Sequence, residues 1–224
     1  MLSYVYAAAT SCDQLSRVVI ATDSREILDL CEKNGWPALM TSPAHPSGTD
    51  RVHEVACKIK ADVYVNLQGD EPLLRCEHIE ALLNVMQDPA AAVGTLKTPC
   101  AATDMDNPNA VKVVTDNLDR ALYFSRATIP FARNEGSRPR YFKHLGLYAY
   151  RLSALELFCS LPIGDLERAE RLEQLRFLEN GIAIKVAETP FDTIGVDTES
   201  DLQRVEKIVL RRNQNELSAG VSEQ

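Results

Sequence analysis

Two carboxylates at separate points of the chain could share one cation. Asp70 closes the stretch V-Y-V-N-L-Q-G-D-E-P (63–72), and Asp197 lies in G-V-D-T-E-S-D-L (195–202). Each follows an apolar run that reads as a strand, and in open α/β sheets ligands bind beyond the carboxyl ends of the strands. The polar loop 45–51 falls at another such end. A hard ion such as Mg²⁺ takes a few oxygen ligands from protein and leaves the rest to water or substrate phosphates. Two plainer readings stand beside this one. D-E-P is good turn chemistry, and Asp197 could simply cap the helix that follows it.

The elements that must position these residues alternate in type. R-V-V-I-A-T-D (17–23), A-L-M-T (38–41) and the run at 63–67 read as strands. Helices fall between and around them: 1–10, 24–35 with Ser24 as cap and Gly35 as stop, one carrying Val52, Val55, Ala56 and Ile59, and one near 76–87. This alternation predicts a mostly parallel, doubly wound α/β sheet. Past residue 92 the pattern changes to A-V-G-T-L (92–96), a hairpin from 110–115 and 121–125 across D-N-L-D, and H-L-G-L-Y-A-Y (144–150). Helices at 153–159 and 168–181 and a strand at 182–187 precede a last helix at 197–210. The expected organisation is one domain over 1–212, with a smaller hairpin-rich lobe at about 93–150 and a flexible tail over 213–224.

Composition narrows the function class. The net charge of −8 shows no basic stripe for nucleic acid. The six cysteines form no C-x-x-C and the four histidines no H-x-x-x-H, so reduced thiols in a cytoplasmic protein without zinc are expected. No apolar run approaches the roughly 20 residues of a membrane span, and the first residues lack the pattern of a signal peptide.

Seven stretches carry a family resemblance: A-H-P-S-G-T-D-R (44–51), V-N-L-Q-G-D-E-P (65–72), N-P-N-A-V-K-V-V (107–114), A-L-Y-F-S-R-A-T-I-P (121–130), H-L-G-L-Y-A-Y (144–150), L-E-Q-L-R-F-L-E-N-G (172–181) and G-V-D-T-E-S-D-L (195–202). In this order they resemble the 3-deoxy-manno-octulosonate cytidylyltransferases, or CMP-Kdo synthetases. The resemblance implies a nucleotide-diphospho-sugar-transferase-like fold. It also implies formation of CMP-Kdo and pyrophosphate from CTP and Kdo for lipopolysaccharide biosynthesis, with Mg²⁺ on Asp70 and Asp197 and a homodimer built through region 93–150.

Other roles follow from the same motifs. Ser47, Gly48, Thr49 and Arg51 would meet the nucleotide. Gln68, on the face of Asp70, would contact the sugar. Arg126 would hold the sugar carboxylate through bidentate bonding. His144 and Tyr148, four apart on one strand face, would border the sugar pocket, and Glu170, Glu173 and Gln174, on one helix flank, would read its hydroxyls. The family also opens with an apolar strand and a cationic loop of pattern P-A-R-x-x-S-x-R-x-x-G-K, whereas M-L-S-Y-V-Y-A-A-A resembles the helix after that loop. A first strand missing from the sheet is therefore expected. The competing reading is an N-terminally truncated, inactive relative, acting at most as a sugar-binding or dimerising module.

Overall fold

The computed structural model describes residues 1–134 and 139–221, with side chains as far as Arg211. In chain order the elements are α1 (Leu2–Thr10), β1 (Ile20–Thr22), α2 (Arg25–Asn34), β2 (Ala38–Met40), α3 (Gly48–Lys58), β3 (Tyr64–Asn66), α4 (Cys76–Val85), β4 (Val93–Pro99), β5 (Lys112–Thr115), β6 (Ala121–Ser125), β7 (Phe142–Tyr150), α5 (Leu152–Ser160), α6 (Asp165–Glu170), α7 (Leu175–Glu179), β8 (Ile184–Glu188) and α8 (Glu199–Val221). A single 3-10 turn, Ala102–Asp104, follows β4.

The sheet is mixed rather than mostly parallel. β1 and β2 pair in parallel as a separate two-stranded sheet. The larger sheet runs β6-β5-β7-β4-β8, with β3 also on β7. β7 lies antiparallel to β3, β4 and β5, and among the described residues of this larger sheet only β4 and β8 are parallel neighbours. A strand entering from the hairpin-rich region has no crossover helix to turn it, so it runs against the strands it joins. α3 packs on both β1 and β3 and so links the two sheets.

β7 divides the interior by simple alternation. Leu145, Leu147 and Ala149 face a core with Val5, Ala9, Ile79, Leu82 and Leu96, under α1 and α4. Tyr148 and Tyr150 face the opposite core with Phe124, Leu155, Phe158, Leu175 and Phe177, under α5 and α7. The β5–β6 hairpin folds back on the sheet. Asp119 accepts from the Val186 amide at 2.8 Å, so the hairpin tip covers the outer edge of β8.

Two expected elements differ. The helix read over 168–181 is two short helices, α6 and α7, because Arg171 takes a left-handed φ of 52°. That bend lets Leu172 enter the core, at 6% exposure, and moves Glu173 and Gln174 off a helix flank into the connecting turn. The last helix continues to Val221 through most of the stretch read as a tail, and 222–224 lie outside the described residues.

Candidate active site

Asp70 follows β3 in a tight loop, and Asp197 ends the stretch between β8 and α8. The two come together through backbone: the Val196 amide donates to the Asp70 carbonyl at 3.0 Å. Thr198 caps α8, accepting from the Asp201 amide at 3.2 Å, so Asp197 is not the helix cap. Burial pushes the Asp70 carboxyl above its ordinary value, its own backbone amide pulls it partly back, and the charge of Asp197 pushes it up again. Among the described residues neither carboxylate has an ion-pair partner. No described cluster of three or more His, Cys, Asp or Glu could hold a metal by itself. An uncompensated pair of carboxylates suits a cation that takes its other ligands from water or phosphate.

Glu71 does not join this pair. It is 7% exposed and turns toward Gly146 on β7. Burial pushes its carboxyl up to about 7, Thr193 opposes that, and the charge of Asp70 adds to it.

Polar side chains cluster beside the loop that carries Asp70. Asn66 is directly opposite Tyr148 across the β3–β7 ladder. A side chain on Gly48 would meet the amide nitrogens of Asn66 and Gln68, both at 3.7 Å. Tyr148 stacks on Tyr150 and lies 5.4 Å from the His144 ring, as their shared strand face required. Glu173 faces the N-terminus of α3: burial raises its carboxyl, and Ser47 and Thr49 act against the rise. Asn66 Nδ2, Tyr148 OH and Glu173 Oε2 are buried without a hydrogen-bond partner, as is Nε2 of Gln174, the residue after Glu173. Buried polar atoms are almost always satisfied.

The remaining expected site residues are engaged with protein. Ser47 caps α3, exchanging hydrogen bonds with Asp50, and Thr49 is within 3.2 Å of the Tyr150 hydroxyl. Arg51 donates to Thr41 and, at 2.8 Å, to Asp23, whose carboxyl it holds below the ordinary range. Arg126 does not stand free for a carboxylate. Its guanidinium donates to the carbonyls of Glu170, Pro108 and Arg171. Glu170 is not free to read hydroxyls either, since its carboxylate accepts from the Ser125 hydroxyl at 2.6 Å and the Arg126 amide at 2.9 Å. Together Arg126 and Glu170 clasp the bend at Arg171.

His144 is buried and neutral, its pKa pushed down to about 3 by burial. The Thr95 hydroxyl donates to the Leu147 carbonyl at 2.8 Å, so it accepts from His144 Nε2–H at 3.0 Å. Hydrogen-bond bookkeeping therefore leaves His144 Nδ1 as an acceptor. Asn66 was not among the expected site residues. β3 ends at Asn66, so Gln68 and Asp70 lie in the loop after it and do not share a strand face as expected.

Comparison with known proteins begins with the class. A putative glucose-1-phosphate thymidylyltransferase from Bacillus anthracis superposes with a TM-score of 0.59 at 14% identity over 92% of this chain and 81% of its own, a likeness of fold alone. The class is that of the cytidylyltransferases, whose family model matches residues 1–186. A 3-deoxy-manno-octulosonate cytidylyltransferase of Koribacter versatilis is 62% identical over 95% of this chain and 81% of its own length. The corresponding protein of Acidobacterium capsulatum is 55% identical over 95% and 86%. A CMP:2-keto-3-deoxy-manno-octonic acid synthetase solved in complex with CTP superposes with a TM-score of 0.89 at 41% identity, over 94% of this chain and 88% of its own. The chain belongs to the 3-deoxy-manno-octulosonate cytidylyltransferase family.

Proposed function

We propose that the chain transfers the cytidylyl group of CTP to 3-deoxy-D-manno-octulosonate (Kdo), forming CMP-Kdo and pyrophosphate, with a divalent cation held by Asp70 and Asp197. The observation that carries the reaction is the 62% identity to a protein of that name over 95% of the chain. The reading of an inactive sugar-binding module has no comparable support, because the alignment takes in 81% to 86% of the relatives' own lengths. The relative with bound CTP supports that nucleotide as the donor.

The anomeric hydroxyl of the sugar bonds to the α-phosphorus of CTP, and the bond from that phosphorus to the pyrophosphate oxygen breaks. Positioning and charge neutralisation dominate such chemistry. Magnesium, when bound, supplies Lewis-acid polarisation of the phosphoryl group and lowers the cost of deprotonating the hydroxyl. Asp70 and Asp197 contribute the ligands, and their mutual repulsion is what a cation would relieve. Gln68 and Asn66 beside them, with Tyr148, Glu173, Gln174 and neutral His144, offer donors and acceptors to the sugar hydroxyls. The N-terminus of α3 at Ser47–Thr49 lies beside them and faces Glu173.

Asp70→Asn and Asp197→Asn test the assignment. Each variant should fold as the parent does and release pyrophosphate at least ~10³-fold more slowly, the scale of losing transition-state charge stabilisation. Near-parental turnover in either variant removes that residue from the cation site.

A further inference from the structure

The stretch from Thr189 to Thr198 has no regular structure, yet Asp197 depends on it. Its two ends are tied by neutral contacts. The Thr189 amide donates to the Lys97 carbonyl at 2.9 Å, His78 Nε2 to the Phe191 carbonyl at 3.1 Å, and the Val196 amide to the Asp70 carbonyl at 3.0 Å. The middle is held by one cation. Lys143, near the start of β7 and 14% exposed, donates to Asp192 Oδ1 and to the Thr193 carbonyl, both at 2.9 Å. Its ammonium also lies 3.7 Å from Asp104 Oδ2, a buried oxygen with no hydrogen bond of its own.

Asp104 sits in the turn after β4, and Arg204 of α8 approaches its other oxygen at 4.0 Å. One network, with Lys143 and Asp104 buried and Asp192 and Arg204 at its exposed edges, therefore connects β7, the turn after β4, the 189–198 stretch and the helix that begins just after Asp197. Apolar packing around it is thin: Leu73, Ile194 and Val205 form the small cluster that holds this corner. Backbone without regular structure and with few apolar contacts moves readily unless tied. A buried ammonium is costly unless its donors are used, and here two of them make hydrogen bonds while the Asp104 carboxylate stands close by. The arrangement makes sense as a device for position.

We propose that Lys143 is a positioning residue for cytidylyl transfer. By fixing Asp192 and Thr193 on the central strand, it sets where Val196 meets Asp70, and so the spacing at which Asp70 and Asp197 face each other. The inference rests on the reading of those two carboxylates as the cation site.

The test compares Lys143→Met, which keeps length and loses charge, with Lys143→Arg. In Lys143→Met the Val196 amide should exchange its hydrogen about tenfold faster, the loss expected for one charge-assisted bond. The Mg²⁺ concentration for half-maximal pyrophosphate release should rise by about the same factor, while KM for Kdo changes little. Lys143→Arg should recover most of both effects. If Lys143→Met does not fold, Asp192→Asn removes one tie and should show the same two shifts in smaller measure.

A lowered melting temperature with unchanged Val196 exchange and unchanged Mg²⁺ requirement would show a merely structural lysine and overturn the proposal. Failure of the underlying site reading looks different. In that case Asp197→Asn retains turnover, and Val196 exchange still responds to Lys143. Loss of turnover in Asp197→Asn, combined with no response to Lys143→Met, rejects the positioning role alone.

Discussion

Asp70 and Glu71 are adjacent acids, and the structure separates their fates. Asp70 stays at the rim beside Asp197, whereas Glu71 turns inward to Gly146 and Thr193, where burial raises it to about 7. His144 shows the mirror case, a base held neutral by burial at about 3. Their stability contributions run in opposite directions with pH. For Glu71 the folded state binds the extra proton between its ordinary value, 4.5, and about 7, so stability falls as pH rises through that window. For His144 the unfolded state binds the extra proton between about 3 and 6.5, so stability falls as pH drops through that window. Each slope is about 1.4 kcal/mol per pH unit, and the two oppose each other where the windows overlap. Urea unfolding at a series of pH values should therefore show a stability difference between Glu71→Gln and the parent that grows from pH 4.5 to 7. The difference for His144→Gln should change in the opposite sense as pH drops below 6.5. Parallel pH profiles for parent and both variants would show that neither group has the shifted value.

At the scale of the element, the turn between α6 and α7 decides which side chains reach the candidate site. The two helices are locked together by Glu167 and Arg176, a bidentate pair at 2.7 and 2.6 Å whose side chains are only 10% and 5% exposed. The guanidinium lies 3.9 Å from the centre of the Phe158 ring, and Glu179 accepts from the Leu166 and Glu167 amides at the start of α6. Removing one partner of a buried pair leaves the other charge stranded, at a cost of about 3–5 kcal/mol, whereas apolar replacement of both is often near neutral. Arg176→Met should lower the unfolding free energy by that amount in a denaturant titration, and Glu167→Met with Arg176→Met should restore most of it. A double variant as unstable as the single one would mean that packing, not charge pairing, dominates. This turn was also the least legible part of the chain. Apolar spacing of 3.6 runs through Leu172, Leu175 and Leu178, so nothing in the pattern announces the left-handed residue at Arg171. α2 was legible at both ends, because Ser24 accepts from the Ile27 amide and Gly35 takes the left-handed stop. The β5–β6 hairpin was legible from its turn residues. The antiparallel course of β7, the clasp of Arg126 on Glu170 and the network around Lys143 were not, since each rests on partners far along the chain that local pattern does not encode.

For the molecule as a whole, no described helix is long and apolar enough to cross a membrane. The described surface carries large exposed apolar side chains at several places, three of the most exposed in one short stretch of the chain. Leu118 and Leu122, on the hairpin, are each 61% exposed, and Phe131, just beyond it, is 86% exposed. Scattered apolar side chains are ordinary on a surface, but three large ones fall within 14 residues on and just after the hairpin, and a cover would take them out of water. We propose that the cover is a second copy of the chain, giving the homodimer that the family resemblance implies through region 93–150. Closed two-fold dimers are the commonest assembly, and they bury the same patch on both partners. Light scattering after size exclusion should then give twice the 24.9 kDa chain mass at micromolar concentration. Leu122→Glu with Phe131→Glu should shift the mass to that of a single chain and leave the unfolding free energy of the fold within about 1 kcal/mol, since neither side chain is packed in the protomer. A parent chain that stays monomeric over a hundredfold range of concentration would sink the dimer. A double variant that still dimerises would move the interface elsewhere.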